Sequence, residues 1–284
     1  MVGAKGSALQ NVLAAVYYLD VPNGNIRLDE VAALRANPMV AQAIAVAMGD
    51  SVAGARIVGA GNDFLEFYGA QLTEGALPAA PMEAVVGSAL AARARAARLR
   101  HQASVEDVDF RTARGLDRNL FLQLASCAWV RARHGLLLTG PTGVGKSWLA
   151  CALGHKACRE DLSVAYHRAP RLFAALALAR GDGRYGKLLR GLARVDLLIL
   201  DDWGPEKLDD QQRRDLLEIV EDRHERRSII VTSQVPVDRW YEIVGNPTIA
   251  DAILDRLLHN AYRIELTGES LRKRRSTAQQ TMPA

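Results

Sequence analysis

With 284 residues, 49% of them hydrophobic and 24% charged, the chain has the length of roughly two domains. It can bury a core without help from disulfides or a structural metal. That composition excludes wholesale disorder, and no apolar run of about 18 residues free of charge or glycine strings is present to suggest a membrane span. The net charge of +4 is unevenly placed. Residues 1–89 sum to −4 and the remainder to +8, so the expectation of a polyanionic partner attaches to the body of the chain. Three cysteines, Cys127, Cys151 and Cys158, form no CxxC pair. Core packing in a reducing, cytoplasmic compartment fits them better than redox or metal chemistry. The opening residues, MVGAKGSALQ, carry no signal-peptide pattern.

In chain order, the first 85 residues are rich in Ala, Gly and Val. An amphipathic stretch at 8–19 predicts a helix, and shorter helical pieces are predicted at 29–36 and 38–48. Gly54, Gly59, Gly61, Gly69 and Gly75 break any longer element. This region has neither histidine nor cysteine and reads as a small, mainly helical module or a loosely ordered extension without chemistry of its own. Pro78 and Pro81 mark the boundary to a second domain over 86–273, with a basic and polar tail at 274–284. A long helix is predicted from Pro81 through Gln102, ending in Arg93, Arg95, Arg98, Arg100 and His101. Those charges form either a solvated helix end or a phosphate contact.

From residue 117 the pattern alternates. Helices are predicted at 120–131, 147–159, 168–178, 209–224 and 248–262, and apolar strands at 135–139, 163–167, 195–200 and 228–232, with 263–266 following the last helix. Short buried strands spaced by helices imply an α/β fold with a central parallel sheet covered on both faces.

The chemistry begins at Gly140-Pro141-Thr142-Gly143-Val144-Gly145-Lys146-Ser147, a complete GxxxxGK[ST] run between a predicted strand and a predicted helix. Its glycines let backbone N–H groups turn around a polyphosphate at the positive end of the helix, which Trp148 continues. Lys146 would neutralise the β- and γ-phosphates of ATP, and the Ser147 hydroxyl would ligate Mg²⁺. Leu197-Leu-Ile-Leu-Asp201-Asp202 then supplies the acids at the end of a buried strand. Asp201 is expected to hold Mg²⁺ through water, and Asp202 to polarise the attacking water. Many such ATPases carry Glu as the second acid; Asp is one methylene shorter, which shortens its reach. Gln234, after the next strand, is placed either beside the γ-phosphate or in a plain polar turn.

The P-loop together with LLILDDWG at 197–204, ARGDGRY at 179–185 and the blocks at 213–240 and 246–273 resembles the IstB-like insertion-sequence helper ATPases. These are AAA+ proteins close to the DnaC-type helicase loaders. The resemblance covers 91–273; residues 1–85 do not match it. It implies a P-loop NTPase of AAA+ type that binds ATP and double-stranded DNA, forms a homo-oligomer and assists a transposase. It also implies that Arg256, in Asp255-Arg256-Leu257, completes a neighbouring subunit's nucleotide site in trans, the alternative being a pairing with Asp251 or Asp255. Arg272 is a weaker candidate for a phosphate sensor in cis. Contact with DNA is expected on the basic run Arg168, Arg171, Arg180, Arg184, Lys187, Arg190 and Arg194, among which Tyr166 and Tyr185 lie, the alternative being a solvated face. Helicase loading and small-molecule phosphotransfer use the same P-loop and stay open at this level.

Overall fold

The computed structural model describes residues 28–52, 55–73, 76–77 and 87–271. The chain divides after Val86 into two compact units. The amphipathic stretch at 8–19, the tail at 274–284 and Arg272 lie outside the described residues.

In the first unit, α1 (Leu28–Ala36) follows the sequence pattern. The helical piece predicted at 38–48 does not form. β1 (Val46–Val52) pairs antiparallel with β2 (Ala55–Ala60), with Val46 opposite Ala60 and Met48 opposite Val58. Small and β-branched residues are set by the ladder partner rather than by local helix preference. A short helix, α2 (Asn62–Phe67), follows.

The second unit is built on a five-stranded parallel sheet in the order β4-β5-β6-β3-β7. The strands are β3 (Gly135–Thr139), β4 (Val164–Arg168), β5 (Leu197–Trp203), β6 (Ser228–Ser233) and β7 (Ala261–Glu265). Helices α3 (Ser88–Ala97), α4 (Arg118–Ala125) and α5 (Ala128–Arg131) precede the sheet. The others are α6 (Lys146–Arg159), α7 (Ala169–Gly181), α8 (Tyr185–Arg194), α9 (Asp210–Arg223), α10 (Trp240–Val244) and α11 (Pro247–Leu258). Two apolar clusters cover the faces. One gathers Leu136, Leu138, Ile199 and Ile230 with α6, and the other gathers Leu137, Leu198, Leu200 and Val231 with α7, α9 and α11. Alternate residues of one strand thus feed opposite clusters, as burial on both faces requires. Cys127, Cys151 and Cys158 are buried free thiols. Burial pushes each up to about 11, so they stay protonated.

Several boundaries differ from the sequence pattern. Of the helix predicted across 81–102, residues 81–86 lie outside the described residues; α3 stops at Ala97, where Arg98 turns left-handed (φ 51°). That turn directs Arg100 and His101 toward the nucleotide cleft. The single helix predicted at 120–131 breaks at Cys127 (φ 58°), and the Trp129 indole donates to the Leu124 carbonyl at 2.8 Å across the break. The last helix ends at Leu258. Asn260, a residue that tolerates φ of 56°, turns the chain into β7, so Tyr262 is a strand residue beside Leu136. Within the basic run, α8 forms because Leu189 and Leu192 bury one helical face.

Leu198 is fully buried between β4 and β6. Leu198→Ala should lower unfolding stability by about 2–5 kcal/mol, read as a fall in the urea midpoint with the slope unchanged.

Candidate functional site

The site grows from the ends of β3 and β5. β3 runs into the loop 140–145, and α6 begins at Lys146. Gly140 has φ of 135°, and a Cβ there would meet the Leu266 carbonyl, which follows β7 and is fixed by the Leu266 N–H donating to Thr139 O at 2.8 Å. Gly145 caps α6 with φ of 102°; a Cβ would come within 2.9 Å of Arg114 Nη1. Both positions therefore demand glycine. The loop's carbonyls draw two cations inward. Lys146 Nζ donates to Gly140 O at 2.6 Å and Pro141 O at 2.7 Å. Arg114, 5% exposed, donates to Val144 O at 3.3 Å and Asp109 O at 3.2 Å. Burial pushes the Lys146 ammonium below its ordinary value, against the pull of Asp201 and Asp202. Arg114 was not singled out by the sequence, because a lone arginine ahead of a helix carries no spacing signal.

Asp201 is fully buried and accepts three hydroxyl donors. Ser147 Oγ (2.7 Å) and Thr232 Oγ1 (2.6 Å) reach one oxygen, and Tyr166 OH (2.5 Å) reaches the other. Burial, together with Asp201, pushes the Tyr166 hydroxyl up, so it remains a donor. Asp202 follows with φ of 62°, where β5 and β6 shift register between Leu200 and Trp203. This bulge turns the second acid toward the cleft while its N–H donates to Thr232 Oγ1 at 3.0 Å. Asp202 pairs with Arg168 at 2.5 Å and accepts from Gln234 Nε2 at 3.4 Å. Burial opposes its charge, but these two contacts outweigh burial and hold its carboxyl below the usual carboxylate range. Gln234 Oε1 in turn accepts from Thr142 Oγ1 at 2.6 Å, joining the P-loop to Asp202.

These groups surround a cleft of about 410 Å³ whose wall includes Thr142, Gly143, Gly145, Lys146, Ser147, Trp148, Asp202 and Gln234, with Arg100, Arg114 and Arg168 at its basic side. The P-loop, both acids and Gln234 are thus brought together. Arg256 is not part of that cleft. It lines a separate cavity of about 330 Å³ by the starts of β3, β6 and β7, and it pairs with Glu221 at 3.1 Å, not with Asp251 or Asp255. The basic run is split. Arg168 faces the cleft, and Arg180 lies 3.7 Å over the Tyr185 ring and pairs with Asp215. Arg184 pairs with Asp182, while Arg171, Lys187 and Arg190 are exposed.

A Gly-rich loop opening a helix, a buried strand-end acid bonded to the loop's serine and this parallel strand order define a P-loop nucleotide-binding protein of AAA+ type. The chain belongs to the family of IstB-like ATP binding proteins, whose model matches residues 87–279. It is 68% identical to an insertion sequence ATP-binding protein of Sinorhizobium fredii over 184 residues, 65% of this chain and 75% of that protein. It is 36% identical to the IS21 ATP-binding protein of Pseudomonas aeruginosa over 63% of this chain and 68% of that one. Among solved structures it resembles DnaI, with 26% identity and a TM-score of 0.51 over 58% of this chain and 91% of that one. AMPPCP-bound DnaA from Aquifex aeolicus shares the fold at 19% identity and a TM-score of 0.51, over 66% of this chain and 58% of that one. No helix among the described residues is long and apolar enough to cross a membrane.

Two substitutions test the geometry. Gly140→Ala should weaken binding of a fluorescent ATP analogue by an order of magnitude or more with the circular dichroism spectrum retained. Thr232→Val removes a donor from Asp201 and an acceptor from the Asp202 N–H, and should cost about 1–3 kcal/mol of stability by denaturant titration.

Proposed function

We propose that this protein is the ATP-hydrolysing helper of a transposition system, which assembles on double-stranded DNA as an ATP-bound homo-oligomer and uses hydrolysis to regulate a transposase. The observation that carries the reading is the link from Ser147 Oγ to Asp201, 2.7 Å long, beside Lys146 and Asp202. It joins the phosphate-binding loop to the strand-end acids, the arrangement that phosphoryl transfer needs. The 68% identical insertion-sequence relative favours a transposition role over helicase loading with the same chemistry.

The chain's own groups divide the work. N–H groups of the loop and the first turn of α6 cradle the phosphates, and Lys146 exchanges its bonds to Gly140 O and Pro141 O for phosphate oxygens. The Ser147 hydroxyl and the Asp201 carboxylate are hard oxygen donors suited to Mg²⁺, so these two residues would hold it. Bound there, the ion neutralises charge on the β- and γ-phosphates. Asp202, kept ionised by Arg168, accepts a hydrogen bond from the attacking water, and Gln234 orients that water from the P-loop side. Arg256 shares no cavity with its own P-loop, which supports a role at a second copy's nucleotide. Residues 86–273 act as the ATPase domain, 1–85 as a separate module and 274–284 as a tail. Three protonated, buried thiols suit a cytoplasmic setting.

Hydrolysis should rise with duplex DNA and lose that stimulation as salt increases, with nucleotide-dependent assembly in sedimentation. Lys146→Ala should abolish turnover, and Asp202→Asn should lower kcat on the order of 100-fold or more with ATP binding kept. Arg256→Ala should be inactive alone but recover activity when mixed with Lys146→Ala, because each supplies what the other lacks. Hydrolysis indifferent to DNA in a persistent monomer would overturn the proposal.

A further inference from the structure

With Arg168, Arg180 and Arg184 already held by Asp202, Asp215 and Asp182, the free positive charge lies elsewhere. α8 buries Leu189 and Leu192 and leaves Lys187, Arg190 and Arg194 exposed at i, i+3 and i+7, one stripe of a helix about 15 Å long. Where α8 ends, Arg133, Arg190, Arg194, Arg226 and Arg227 line an open depression of about 470 Å³ in which Asp222 is the one carboxylate. All five arginines are exposed. Arg227 stands 3.7 Å from Asp196, and Arg133 donates to the Glu225 carbonyl at 3.2 Å. No carboxylate among the described residues lies within ion-pair reach of Arg190, Arg194 or Arg226. Beneath them the buried Arg223 bonds to the carbonyls of Leu192, Val195, Asp196 and Ser228, which fastens the end of α8 to the starts of β5 and β6.

We propose that this arginine face binds the phosphodiester backbone of duplex DNA. The assignment rests on the DNA-binding reading above and moves the contact from the basic run as a whole to the end of α8 and the loops beside it. Exposed guanidiniums strung along a helix and around an open depression suit a chain of evenly spaced anions. A compact anion needs convergent, buried donors instead. An acidic protein face is the poorer match, because its carboxylates lack the even linear spacing of backbone phosphates. Phosphate contacts carry no base readout, so binding is independent of sequence.

The test compares the full chain with the Arg190→Gln/Arg194→Gln/Arg226→Gln variant and with Arg171→Gln/Arg184→Gln. Binding to a fluorescent duplex of mixed sequence is followed by anisotropy over a salt series, with a non-hydrolysable ATP analogue present and assembly checked by sedimentation. The triple variant should lose on the order of tenfold or more in affinity and lower the salt slope by about 3, with ATP-analogue affinity and assembly unchanged. Arg171→Gln/Arg184→Gln should change either quantity less. An unchanged slope in the triple variant, or a larger loss in the double one, overturns the assignment while leaving DNA binding itself intact. Loss of assembly in the triple variant overturns it in favour of a contact between copies. Failure of the unsubstituted protein to bind DNA at any salt overturns the DNA-binding reading and this assignment with it.

Discussion

A fully buried carboxylate is costly unless hydrogen bonds satisfy it, and Asp201 meets that cost with hydroxyls from three elements: Ser147 of α6, Tyr166 of β4 and Thr232 of β6. One side chain therefore ties the helix that carries the P-loop to the two strands flanking β5. Its three partners are all donors, so both carboxylate oxygens are engaged. The rest of the nucleotide site takes its position from this junction.

The sheet explains why the junction sits at the cleft. All five strands run the same way, so β3 and β5 release the P-loop and the acids at one end, where parallel α/β sheets gather their ligands. The other end collects Arg256 and the arginine face, so each copy carries a nucleotide cleft at one end of the sheet and a concentration of arginines toward the other. The bulge at Asp202 is the local departure from regularity. An unbroken strand would point adjacent side chains to opposite faces, and the left-handed step at Asp202 lets two consecutive acids serve one site.

The parts legible in the sequence were those with a short-range signal. The P-loop run, the apolar strands β3 and β6 and the acid pair were placed within a residue, and β5 within three, because each is a local pattern with a single physical reading. Gln234 was located but not its bridge from Thr142 to Asp202, which needs the third dimension. The break at Cys127 and the early end of α11 turn on left-handed residues that no hydrophobic period reveals. The hairpin of β1 and β2 was missed because Ala-rich segments suit a helix until a partner strand is known. The basic run was seen as one feature, whereas pairing with Asp182, Asp202 and Asp215 divides it, and Arg133 and Arg226 join its far end from distant parts of the chain.

Beyond the acids, Trp203 is buried and meets Trp240 edge-on at 4.3 Å, with the Trp240 indole donating to Val235 O at 2.8 Å. Four tryptophans are present in all, and Trp148 lies in the cleft wall. The molecule thus carries chromophores of its own in the cleft wall and at the end of β5. Any displacement of that strand end alters the indole pair's surroundings, so intrinsic emission follows the site in real time without a label attached to the protein or to its nucleotide.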